Sequence, residues 1–136
     1  MNYLTILFVS FFISHIPPIN SKYIILFNQR EVSRPIPNSV EGFWLDKPDF
    51  DTMIIVGDKI IRKSEIEIAN LSLLKPNSIV YNTFSVTNAI IRFSDDSPID
   101  TIYTDQFFRY WKINDLLYQD KKEYFKKRFA VFFDKF

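Results

Sequence analysis

The sequence contains no cysteine, so disulfides, thiolate metal sites and cysteine nucleophiles are excluded. Its single histidine, His15, lies near the N-terminus. Only two glycines occur, Gly42 and Gly57, too few for a glycine-rich phosphate loop or a dinucleotide fingerprint. No charged side chain precedes Lys22, and no low-complexity tract or internal repeat follows it. A net charge of +1 supplies no strong attraction to nucleic acid, and no nucleic-acid partner is expected. What is there is a globular composition, 47% hydrophobic and 24% charged over 136 residues, the length of one domain.

Tyr3 to Ile13 reads YLTILFVSFFI, an almost unbroken apolar run. It is shorter than the roughly 20 residues needed to cross a bilayer and suits the core of a secretory leader. Pro17 and Pro18 would end a helix there. Ile19 and Ser21 occupy the third and first positions before a cut, so residues 1–21 are expected to be a signal peptide and 22–136 a single β-rich domain. Met1-Asn2 lacks the usual basic residue, which keeps an uncleaved anchor and a core element open as alternatives. The expected location is secreted or periplasmic, with membrane contact only through the leader if it stays attached. Cleavage would remove His15, and with it histidine bases, Ser-His-Asp triads and imidazole ligands.

Beyond the leader, short β-type runs alternate with turn residues about every ten positions. Tyr23–Phe27 is the first run, and Ser33–Ser39, with its two prolines, is a loop. Thr52–Val56 and Lys59–Arg62 flank Gly57-Asp58, a two-residue hairpin signal. Ser64–Leu74 opens with strand-like alternation. Ile79–Val86 and Ala89–Phe93 suggest a second pair around Thr87-Asn88. Ser94–Pro98 breaks the chain, Thr101–Tyr103 is a short run, and Phe107–Ile113 turns at Asn114-Asp115 into Leu116–Tyr118. Residues 124–133 fit a helical period and, less cleanly, a closing strand; the preceding antiparallel pattern favours the strand. The expected fold is all-β, an antiparallel meander closed as a small barrel or sandwich, with a C-terminal helix as the variant.

Candidate chemistry is sparse. Asp95, Asp96, Asp100 and Asp105 could offer oxygens to a hard cation, but their spacing fits no calcium loop and they read as solvated turn carboxylates. Asp46, Asp49 and Asp51 lack any feature that sets a glycosidase separation. Lys63-Ser64 is a formal Ser-Lys pair without a motif. Asn70-Leu71-Ser72 is a glycosylation string, and the basic residues from Lys121 to Arg128 read as a solvated face. No catalytic set, metal site or cofactor is expected.

Gly42-Phe43-Trp44, the Thr104-Asp105 step and the late Arg128 occur in the order of three short lipocalin signatures. The hairpin-like stretch Phe108–Tyr118 is similar to late hairpins of bacterial lipocalin-like domains. The chain thus resembles a lipocalin-like small β-barrel over some 25 of its 136 residues, with Gln106 where the second signature has tyrosine. The resemblance implies that Trp44 packs across the closed barrel end and that Arg128 covers it, a favourable cation–π pairing. It also implies a small apolar ligand held among aromatic side chains, with Phe84, Phe93, Phe107, Tyr110 and Trp111 as candidates. The alternative is an envelope interaction module, of inhibitor or immunity type, that presents an exposed aromatic patch to a protein partner.

Overall fold

Tyr23, Ile25 and Phe27 alternate with Ile24 and Leu26 along β1 (Lys22–Asn28), and this period of two gives the strand two apolar faces. A strand apolar on both sides favours cover on both sides, and the described residues supply it on one face and over part of the other. The computed structural model describes residues 21–28, 37–45 and 50–133. The signal-peptide reading falls on residues outside this set, except for Ser21, as do most of the predicted proline loop, Asp46 and Asp49.

Among the described residues six further strands accompany β1: β2 (Phe50–Val56), β3 (Ser72–Leu73), β4 (Asn88–Ser94), β5 (Ser97–Thr104), β6 (Tyr110–Ile113) and β7 (Leu116–Gln119). They form one sheet in the order β2-β1-β4-β5-β6-β7-β3, every pair antiparallel. The expected antiparallel architecture is therefore present, but the expected closed barrel is not. Among the described residues β2 and β3 are the two edges of an open sheet and do not pair with each other.

Among the described residues four helices join the sheet: α1 (Val40–Leu45), α2 (Asp58–Ala69), α3 (Val80–Thr83) and α4 (Tyr124–Phe133). Three of them correct the sequence reading. Gly57 does not turn a hairpin; with φ of 123° it precedes α2, and its carbonyl accepts the Ile61 N–H at 3.0 Å. Residues 59–62 are therefore helical, as is the stretch from Ser64 to Ala69. Ile61 and Ser64 are buried with Ile68 half-buried beside them, a helical stripe that overrides the β preference of the isoleucines. Val80–Thr83 is a helical turn, so β4 pairs with β1 and β5 and not with a strand at 79–86. The C-terminal segment is helix, not a closing strand: Phe125 and Phe129 lie four residues apart and both are buried.

The two tight hairpins form without glycine. Ser94 pairs with Ser97 around Asp95-Asp96, and Ile113 with Leu116 around Asn114-Asp115. All four central residues have φ between 49° and 65°, the left-handed geometry that matches strand twist and that Asn and Asp tolerate best.

The first face of the sheet carries Tyr23, Ile25, Phe27, Ile55, Ile90, Ile102 and Trp111. Ile61 of α2 and Phe125 and Phe129 of α4 close over it. The second face carries Leu26, Phe50, Ala89 and Tyr103, covered by Phe43 and Trp44 of α1 with Phe84 and Val86.

Candidate functional site

Two places on the described surface combine specific chemistry with access. The first is a polar row on the covered face. Tyr23 stands opposite Arg92, and Arg92 opposite Asp100, on adjacent strands β1, β4 and β5. Arg92 makes a two-pronged contact with Asp100, Nε to Oδ1 at 2.7 Å and Nη2 to Oδ2. Its Nη1 donates to Glu65 Oε2 of α2 at 2.8 Å, and Tyr23 Oη donates to Glu65 Oε1 at 2.6 Å.

Burial raises the Tyr23 hydroxyl pKa well above its ordinary value, and the Glu65 carboxylate, by hydrogen bond and by charge, adds to the rise. The Asp100 hydrogen bonds raise the already high pKa of Arg92 against the opposing effect of burial. Tyr23 thus stays a neutral donor and Arg92 a saturated cation. The row can hold α2 to the sheet, but it offers neither a deprotonated nucleophile nor a free guanidinium for an anion.

The second place is the uncovered half of the second face. Ile54, Ile24, Ile91 and Thr101 lie side by side across β2, β1, β4 and β5, and Val56, Lys22 and Phe93 form the next row. Ile54 is 59% exposed and Val56 63%. Ile24, Ile91 and Phe93 are only half-buried, and none of these five apolar residues belongs to either core cluster. Lys22 lies over the Phe93 ring at 5.0 Å and within 3.5 Å of Asp96, so its charge is held at the rim. A contiguous apolar surface of this kind marks an interaction site more often than an ordinary exterior.

The expected ligand-lining residues are not brought together. Trp111 is fully buried on the first face, its Nε1 donating to the Phe108 carbonyl at 2.8 Å. Phe84 packs in the second cluster, Phe93 lies on the uncovered half, and Phe107 is 53% exposed in the β5–β6 loop. Tyr110 is half-buried on β6, with its side chain on the side opposite Trp111.

The pair implied by the lipocalin resemblance separates as well. Trp44 donates to Tyr103 Oη at 3.0 Å and packs edge-on against Phe43 and Phe50 on the second face. Arg128 sits on α4, whose buried residues Phe125 and Phe129 belong to the first face.

Thr104-Asp105 has a local explanation. Asp105 Oδ1 accepts the Arg109 and Tyr110 N–H groups at 2.7 and 2.9 Å, and the Asp105 carbonyl accepts Asn88 Nδ2 and Thr104 Oγ1. Burial raises the Asp105 carboxyl pKa while these N–H donors pull it down. The step closes the β5–β6 loop.

The remaining candidates are dispersed. Lys63 is exposed while Ser64 is buried within α2, so they form no dyad. Asp95 and Asp96 turn a hairpin and Asp100 holds Arg92, so the aspartates do not converge; among the described residues no group of three or more His, Asp or Glu side chains could hold a metal. Asn70 closes the end of α2 by donating from its side chain to the Ile66 carbonyl at 2.9 Å. Among the described residues no helix is long and apolar enough to cross a membrane. The chain matches no family model, no curated protein and no solved structure.

Proposed function

We propose that this chain is a non-enzymatic, exported interaction module that takes a protein partner on the uncovered half of its second sheet face. The observation that carries the reading is the side-by-side placement of Ile54, Ile24 and Ile91 on three adjacent strands. The edge strand β2 adds to it. Asp51, opposite Phe27 at one end, is its only charge, and it contains no proline, so Thr52–Val56 carries neither of these devices that blunt an edge. An apolar segment of a partner could pair with β2 through backbone hydrogen bonds and seat alternate side chains beside Ile54 and Val56. The apolar run Tyr3–Ile13, read as the core of a leader, supports export, and the dispersal of the five candidate aromatics favours this reading over a small-molecule carrier.

The test is a native mass spectrum of the protein made from its full coding sequence in an exporting host, beside the Ile54→Lys variant. A protein complex retained by the parent and weakened by about tenfold or more in Ile54→Lys is the expected result, the effect of losing a central apolar anchor. A complex indifferent to the substitution, or a reproducible small-molecule adduct on an otherwise bare chain, would overturn it.

A further inference from the structure

The edge strand β2 is its own complement. Among the described residues its outer side pairs with no strand, and Thr52, Ile54 and Val56 on the second face are all exposed. Residues 52–56 carry no charge and no proline, and charges of opposite sign flank them. Asp51 precedes them on the first face, opposite Phe27. Lys59, Arg62 and Lys63 follow them, exposed on α2, the helix that lies over that same face. Among the described residues none of these three cations is in an ion pair. Asp58 shares their stretch, which stays net positive. From this arrangement we infer that a second copy of the chain docks on β2, strand to strand and antiparallel, about a two-fold axis at Ile54. The inference rests on the reading of this edge and face as a docking surface and names the partner.

Three features select a second copy. The first is register. Residues directly opposite in an antiparallel pair share a face, so the even positions of one β2 meet the even positions of the other. Centred on Ile54, the pairing sets Ile54 against Ile54, Met53 against Ile55 and Thr52 against Val56, and the uncharged stretch meets only itself. Centred on Met53, it would bring Asp51 into the ladder against Ile55 and desolvate a carboxylate. The second is charge. With Ile54 at the axis, Asp51 falls opposite Gly57 of the second copy, where the cationic end of that copy's α2 begins. The two Asp51 positions lie about 20 Å apart along the strands, so they do not repel each other at close range. The third is closure. The same patch serves both copies, so the contact ends at two. An open chain of copies would need β2 to pair with the other edge, β3, which is only two residues long. In the pair, the row Ile91, Ile24, Ile54 of one copy runs into Ile54, Ile24, Ile91 of the other as one apolar stripe across six strands.

The absence of cysteine makes this register readable by cross-linking. Thr52→Cys, Ile54→Cys and Val56→Cys are made singly in the full chain and oxidised, with circular dichroism confirming that each is folded. At the axis the opposed Cα atoms lie about 4.5–5.5 Å apart, within the span of a disulfide, so Ile54→Cys should link to itself. Thr52→Cys and Val56→Cys each stand about 14 Å from their own counterparts along the strands and should not link alone, whereas a mixture of the two should. Sedimentation equilibrium of the parent should show a reversible doubling of mass with concentration, weakened by about tenfold or more in Ile54→Lys. A single-chain mass at every concentration up to about 1 mM overturns the inference. So does a doubling that Ile54→Lys leaves unchanged, or a Thr52→Cys variant that links alone as fast as Ile54→Cys. A chain that stays single yet loses a different protein partner in Ile54→Lys removes the second copy and keeps the docking surface, so the two readings fail separately.

Discussion

Tyr23 and Arg92 face each other across β1 and β4 and grip the same carboxylate, Glu65, by different oxygens. The hydroxyl reaches Oε1 at 2.6 Å and the guanidinium reaches Oε2 at 2.8 Å, so one helical side chain is fixed by two strands. Arg92 in turn holds Asp100 on β5, and a single row ties three strands to α2. The energetic centre of the row is Arg92, the most buried member of its ion pairs.

Arg92→Ala leaves Asp100 and Glu65 without a counter-charge. The expected loss is about 3 kcal/mol, the low end for breaking a buried pair, because Glu65 remains substantially solvated. Arg92→Lys recovers only part of it, since an ammonium cannot make the two-pronged contact. Urea unfolding of the three proteins measures both, and a loss below about 0.5 kcal/mol in Arg92→Ala would match an ordinary surface substitution instead.

The alkaline limb of stability reports on Tyr23. Its pKa is raised on folding, so the stability it contributes is complete below the unfolded value near 10 and is lost as pH rises above that value. Tyr23→Phe lowers stability at neutral pH by about 1–2 kcal/mol, through the lost bond to a charged acceptor. It also flattens the decline above about pH 10. Parallel melting curves from pH 7 to pH 11 decide this, and an unchanged alkaline slope would show that another group sets it.

Trp44 and Tyr103 join α1 to β5 through one hydrogen bond and edge-on ring packing. Trp44→Phe and Tyr103→Phe each remove the bond while retaining a ring. A double-mutant cycle should return a coupling of about 1 kcal/mol. Trp44→Ala should cost about 3 kcal/mol or more, since it also empties the packing against Phe43 and Phe50. A cycle coupling of zero would mean that the bond contributes nothing net.

Gly57 isolates a backbone effect. A Cβ built there meets no atom within 4 Å, yet its φ is 123°. Gly57→Ala therefore introduces strain without a clash, and a loss of about 1 kcal/mol or more is expected at the start of α2. An Ala variant as stable as the parent would require the β2–α2 junction to have relaxed to another conformation.

Legibility in the sequence followed locality. Asn114-Asp115 announced a turn because short polar side chains tolerate left-handed backbone, and Leu116–Tyr118 continued as a strand beyond it. Tyr23–Phe27 and Thr52–Val56 were readable from β-branched and aromatic content. Gly57-Asp58 misled because the same dipeptide serves a hairpin and the entry to a helix; the helical spacing of Ile61, Ser64 and Ile68 was the competing signal. In the C-terminal segment, Phe125 and Phe129 satisfy both periods, and only the helix-favouring residues between them argued for the outcome. The polar row was invisible for another reason. Tyr23, Glu65, Arg92 and Asp100 come from four elements, and no pattern along the chain brings them together. The uncovered apolar rows were likewise unreadable until register placed Ile54, Ile24 and Ile91 abreast.

The strand order also has a kinetic meaning. β4, β5, β6 and β7 follow one another and pair as neighbours, so each hairpin can close over a short loop. β1 is different: its partner Ile90 for Ile25, and Ala89 for Leu26, lie far along the chain, beyond α2 and α3. β1 must therefore wait for β4 to be made before its pairing on that side can form. During that interval a two-faced apolar strand remains without its full set of neighbours. The topology thus delays closure of the sheet at the N-terminal strand and leaves a window in which the nascent chain can be held unfolded by whatever binds its beginning.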